Sequence, residues 1–233
     1  MVGAACSLTF ATKMMRRISL ILAMGFFSSL FGCNKASNNA EGDSPQSPQT
    51  LEQKLEALAS CGITLRPEFS ADDLLSSWDR AEYEEPGFSM TLVGVGMTQE
   101  EPPWKPRSEN LWHFDTECIE DYGAYVDIAK RMVEMAGGSL PLTDIEDYVD
   151  IEEGKAWLSF KLDGKAIKID CAVEDDWVDS KVFGHFIRLL ADKDPSKIYF
   201  YYDLGGQDCI IGCLDRENYQ KLCKIIPKVE PLT

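Results

Sequence analysis

The sharpest chemical grouping in the chain is Trp112-His113-Phe114-Asp115-Thr116-Glu117-Cys118. On an extended strand, alternation puts His113, Asp115 and Glu117 on one face and Trp112, Phe114, Thr116 and Cys118 on the other. An imidazole with two carboxylates can hold a divalent metal or perform general acid/base hydrolysis, if the surroundings move the pKa values. Residues two apart on a strand are separated by roughly 6 to 7 Å, so such a trio converges on one ion less readily than a helical i, i+4 pair. A polar face over an apolar one is also what any half-exposed antiparallel strand shows. A solvated strand is the simpler reading, and a hydrolase using His113, Asp115 and Glu117, with or without a metal, is the competing one. His185 falls inside an amphipathic helical pattern and reads as a surface or boundary residue.

A second grouping is acidic. Asp144, Glu146, Asp147, Asp150, Glu152 and Glu153 are followed by Glu174, Asp175, Asp176 and Asp179 around Trp177. No segment has the spacing of a calcium loop. A carboxylate pair for glycoside cleavage stays open, because the separation it needs is set by the fold. The more economical functional reading is a binding face in which Asp175, Asp176, Trp177, Asp179 and Tyr148 meet a basic protein partner. A solvated acidic face with Trp177 in the core is the alternative.

The thiols Cys61, Cys118, Cys171, Cys209, Cys213 and Cys223 would allow three disulfides and 15 pairings in an exported domain. Cys209 and Cys213 fall at i, i+4 of one expected strand, roughly 13 Å apart, too far to bond to each other. Cys118, Cys171, Cys209 and Cys213 lie in apolar runs, where a free thiol packs as a small hydrophobe. One or two bridges fit the pattern. Cys-x-x-Cys, a phosphate loop, Gly-x-Ser-x-Gly and His-Glu-x-x-His are all missing, so neither a cofactor nor a metal is expected.

The elements that must position these residues follow from periodicity. An amphipathic helix over 51–59, a capped helix from Ser70, a short helix near 88–93 and a strand over 111–118 come first. The longest helix is expected over 119–136, stopped by Gly137-Gly138. Strands 156–162 and 166–173 flank Asp163-Gly164, a strong hairpin signal. A helix over 178–191, a second hairpin of 197–204 and 208–214 around Gly205-Gly206, and a helix capped by Asp215 complete the pattern. Hairpins alternating with helices predict one α+β domain over 50–233, with a largely antiparallel sheet packed with several helices.

Residues 14 to 33, MMRRISLILAMGFFSSLFGC, carry Arg16 and Arg17, an apolar run from Ile18 to Phe27 and then small residues. That is the order of a secretory signal, and the run is too short to span a bilayer. Its end, Leu30-Phe31-Gly32-Cys33, resembles the bacterial lipobox. The resemblance to bacterial lipoproteins implies cleavage before Cys33 and lipid attachment there, with 1–32 as signal peptide and the true start at Met14 or Met15. Two or more acyl chains anchor stably where one does not. Residues 33–49 then read as attachment site and flexible tether, and the expected location is the cell envelope, on the periplasmic or extracellular side.

All 39 acidic residues follow Cys33, whereas three of the 23 basic ones precede it, leaving 20 bases against 39 acids in the processed form. Such an excess repels nucleic acid and favours cationic partners. The acidic α+β layout with Asp175-Asp176-Trp177-Val178-Asp179 loosely resembles small immunity-type domains that neutralise toxins. The sequence therefore points to a membrane-anchored, non-catalytic protein-binding domain.

Overall fold

The computed structural model describes residues 49–233. The expected signal peptide, the expected attachment residue Cys33 and the expected tether up to residue 48 lie outside the described residues. Among the described residues, seven helices and seven strands occur in an α+β arrangement, as the hairpin-and-helix pattern predicts. In chain order they are α1 (Leu51–Ser60), α2 (Ala71–Leu75), α3 (Arg80–Tyr83), α4 (Ser89–Gly96), β1 (Leu111–Asp115), α5 (Ala124–Met135), β2 (Leu142–Asp150), β3 (Lys155–Leu162), β4 (Lys165–Cys171), α6 (Lys181–Lys193), β5 (Lys197–Asp203), β6 (Asp208–Asp215), α7 (Arg216–Ile225) and β7 (Glu230–Pro231).

The strands form two antiparallel sheets rather than one. Four strands run in the order β1-β6-β5-β7, and three in the order β2-β3-β4. The β3–β4 and β5–β6 hairpins form where expected, and Asp163 and Gly164 both take positive φ, 51° and 76°, as a tight two-residue turn requires. Periodicity missed β2, because its four carboxylates and a bulge between Thr143 and Glu146 obscure the alternation, and it missed the short elements α3 and β7.

One apolar core joins the two sheets through α5 and α6. It includes Phe114, Tyr125, Met132, Leu158, Phe186 and Ile211. Tyr125, Ile128, Ala129, Met132 and Met135 give α5 its buried stripe. The other face of the four-stranded sheet is covered by α4 and α7, with α1 packed on both of them. Helix α4, SMTLVGVG, is buried from Thr91 to Gly96, which fits a helix with no polar face.

Capping is explicit at the N-terminal helices. Thr50 Oγ1 accepts the Gln53 N–H at 3.3 Å while Gln53 Oε1 accepts the Thr50 N–H at 3.0 Å. At Ser70 and Asp79 the third helical residue reaches back in the same way, Asp73 Oδ2 accepting the Ser70 N–H at 2.7 Å and Glu82 Oε2 the Asp79 N–H at 2.9 Å. The helix expected over 119–136 is shorter, because Gly123 sits at φ 97° and interrupts it.

Buried cations tie the layers together. Arg131 of α5 donates through Nη2 to the carbonyls of Ser108 at 2.8 Å and Leu111 at 2.6 Å, which fixes the start of β1. Lys54 of α1 donates through Nζ to the carbonyl of Tyr83 at 2.7 Å. Each such bond replaces the hydration that a buried charge loses.

Candidate functional site

The strand carrying His113 ends at Asp115, three residues earlier than its sequence suggests. Thr116 leaves the ladder, donating through its N–H and its hydroxyl to the Gln207 carbonyl and accepting the Val178 N–H on its own carbonyl. Glu117 therefore lies beyond the strand, where it bridges to Trp177 and donates its N–H to Asp115 Oδ1 at 2.9 Å. His113 and Asp115 share a strand face and Glu117 does not continue it.

That face is also not solvated. Helix α4 lies over it so closely that a Cβ on Gly96 would come within 2.7 Å of the His113 backbone nitrogen. His113 is 8% exposed. The half-exposed-strand expectation fails because β1 has α4 on one side and the main core on the other.

In this setting the antiparallel register brings up a residue that the sequence did not single out. Asp115 stands directly opposite Asp208 of β6, and Asp208 Oδ1 lies 3.6 Å from His113 Nε2. Gln207 Nε2 donates to both Asp115 oxygens, at 3.1 and 3.2 Å. Burial depresses the His113 imidazole to about 4, more than Asp115 nearby can offset, so the ring is neutral near pH 7. Burial raises the Asp115 and Asp208 carboxyls from their ordinary value, with Asp208 adding to the effect on Asp115. Among the described residues no group of three or more His, Cys, Asp or Glu side chains is placed to hold a metal ion.

Two surface hollows lie elsewhere. One of about 240 Å³ is lined by Ser76, Ser77, Trp78, Asp79 and Glu82. The other, of about 340 Å³, is lined chiefly by Tyr148, Lys155, Trp157 and Asp170. Neither is lined by His113, Asp115 or Glu117. The pair Asp115 and Asp208 was not legible because it arises from β1–β6 pairing across some ninety positions of sequence.

The acidic residues divide into two kinds. Asp147 and Asp179 serve the backbone. Asp147 Oδ1 accepts the Gly123 N–H at 2.7 Å and Oδ2 the Val126 N–H at 3.0 Å, capping α5 from another element. Asp179 Oδ2 accepts the Ala172 N–H at 2.8 Å and Oδ1 the Lys181 N–H at 3.0 Å, while its own N–H donates to the Tyr125 hydroxyl. Its carboxylate is thus engaged by the loop leading into α6. Asp175, by contrast, is exposed and takes φ 56°, and Asp176 is half-buried with its carbonyl accepting the Ile119 N–H.

Trp177 is 43% exposed, Tyr148 37% and Tyr122 67%, and these are the large apolar side chains that the described residues leave exposed. Trp177 is thus not a core residue. The three sit on segments bonded to one another. Residues 116–119 pair with 176–178 through Ile119 N–H to Asp176 carbonyl and Val178 N–H to Thr116 carbonyl, and Gly123 is bonded to Asp147. Exposed Glu120, Asp121, Glu174 and Asp175 lie on the same segments. Tyr122 was not singled out by sequence, since it falls within a stretch that reads as helix.

On the outer face of the three-stranded sheet, Tyr148 stacks on Trp157 with ring centroids 6.2 Å apart and planes 13° apart. Lys168 Nζ lies 4.7 Å from the Trp157 ring centre. All six cysteines within 49–233 are free thiols. Burial raises Cys171 to about 11 and Cys209 and Cys213 to about 12.

No helix of the described residues is long and apolar enough to cross a membrane. The chain matches no family model, and comparison with curated proteins and with solved structures gives no match.

Proposed function

We propose that this chain is a membrane-anchored bacterial lipoprotein whose folded domain is an acidic, non-catalytic module that binds a basic protein. The observation that carries the reading is the placement of Tyr122, Tyr148 and Trp177, exposed on three mutually bonded segments that also carry exposed carboxylates. Monomeric surfaces bury most large aromatics, and exposed ones rimmed by charge are the composition of binding sites. The carboxylates favour a cationic partner and speed its approach.

Asp175, Asp176, Trp177 and Tyr148 are the contact residues on this account, with Tyr122 added. The anchor rests on the leader and Leu30-Phe31-Gly32-Cys33, with the domain carried on the tether at the periplasmic or extracellular side of the cell envelope. Neutralisation of a basic toxin in the manner of an immunity protein is one specific form of the proposal.

Two experiments test it. Cross-linked affinity capture from envelope extract should enrich a basic protein with the wild-type chain and lose it with Trp177→Ala. Mass analysis and detergent partitioning of the mature protein should find an acylated N-terminus at Cys33, and an intact unmodified N-terminus would refute the anchor.

A further inference from the structure

Among the described residues, the three-stranded sheet ends on a strand edge that lacks the Lys and Pro found on other sheet edges. In the four-stranded sheet, β1 has its Leu111 carbonyl taken by Arg131, and β7 is two residues long and contains Pro231. On the far side of the three-stranded sheet, β4 carries Lys165 and Lys168, the kind of residue that discourages further pairing. The strand β2 has neither Lys nor Pro, and among the described residues β3 is its one strand neighbour. Its bulge blunts only the first half. From Glu146 to Asp150 the register with β3 is continuous, from Glu146↔Ser159 to Asp150↔Lys155.

The side chains on that straight half have an equally open end. Lys168 on β4, Trp157 on β3 and Tyr148 on β2 form a cation and ring stack that runs across the strands and stops at the edge, with Tyr148 left 37% exposed. Glu146 and Asp150 flank Tyr148 on the same outer face, at i−2 and i+2. The hollow beside Tyr148 and Trp157 includes Asp170 in its lining. The next strand position would meet an acid, a ring and an acid in succession.

We infer that the edge Glu146–Asp150 takes an extended basic segment of the partner protein as an added fourth strand. Main-chain pairing with β2 would hold the segment, Tyr148 would stack on an aromatic or cationic side chain, and Glu146 and Asp150 would face Lys or Arg. A second copy of this chain is disfavoured as occupant. Four acids and no base lie in the nine residues of β2, so pairing β2 with β2 sets like charges opposite one another. This inference rests on the basic-partner reading and adds the mode of binding to it.

The test uses the full-length chain and a short synthetic peptide alternating Lys with Val and Thr around a central Tyr, with a Lys-to-Glu version as control. Amide hydrogen exchange and fluorescence anisotropy are the readouts. The basic peptide should slow exchange within 146–150 and bind at least about tenfold tighter than the acidic one. Tyr148→Ala should weaken it by about three- to tenfold, as loss of an aromatic contact does. Glu146→Lys, a change at an exposed position, should weaken it without altering the free protein's exchange elsewhere. Protection confined to 116–122 or 174–178 would overturn the added strand while leaving the basic-partner reading standing. Failure of the basic peptide to bind anywhere, or equal binding of the acidic peptide, would overturn the added strand, and failure of the separate envelope capture would count against the wider reading. Slow exchange at 146–150 that depends on protein concentration without peptide would show self-pairing and also overturn the proposal.

Discussion

Asp147 accepts the backbone N–H of Gly123 at 2.7 Å, so a strand carboxylate closes the start of a helix whose own N-cap residue has no side chain. The bond also holds the segments of Tyr122 and Tyr148 together. Removing it in Asp147→Ala should destabilise the domain by about 1 to 2 kcal/mol, the usual cost of a lost cap with its favourable charge. Urea unfolding checks this, and an unchanged midpoint would mean that solvent caps α5 equally well.

His113 gives the fold a pH dependence of definite sign. Its folded pKa of about 4 lies below the ordinary 6.5, so between those values the unfolded chain binds more protons than the folded one. Stability should therefore fall as pH drops from 6.5 to 4, by up to about 3 kcal/mol from this group. Asp115 and Asp208 act oppositely, since their raised values favour the protonated folded form at low pH. Unfolding free energies of wild type and His113→Gln at pH 7 and 5 should differ in slope, and parallel curves would remove His113 from the account.

Two glycines separate packing from propensity. A Cβ at Gly96 meets the backbone of His113 at 2.7 Å and of Trp112 at 3.1 Å, so Gly96→Ala should cost about 1 to 3 kcal/mol by pushing α4 off β1. At Gly184, inside α6, the nearest atom is Arg188 Nη1 at 3.8 Å, and Gly184→Ala should stabilise by about 0.5 to 1 kcal/mol. Thermal melts in which Gly96→Ala does not lower the midpoint would contradict the placement of α4, and a lowered midpoint for Gly184→Ala would contradict the open space at that position.

The thiols of Cys171, Cys209 and Cys213 should resist alkylation at neutral pH until the chain unfolds, because burial suppresses the thiolate. Peptide mapping without reductant should recover all six cysteines of 49–233 unpaired. A bridged peptide pair would overturn the free-thiol arrangement.

What the sequence made legible is local. The hairpin at Asp163-Gly164, the helix starting after Ser70 and the buried stripe of α5 depend on neighbours a few residues apart, and all occur as their patterns predict. What stayed hidden depends on long-range pairing. His113 looked solvated because nothing near it in sequence announces that α4 will lie on it. Asp147 looked like one more surface acid because its partners, Gly123 and Val126, belong to a different element. The exposed Trp177 was read as either a binding or a core residue, and only its place on the loop before α6 distinguishes them.

The central claim, an acidic aromatic surface for a basic partner, is tested most directly by site-specific photo-crosslinking in cells producing the full chain. Crosslinkers at positions 122, 148 and 177 should each trap the same basic protein, while one at exposed position 192 on α6 should trap none. Equal trapping at 192, or no protein common to the three aromatic positions, would contradict the account.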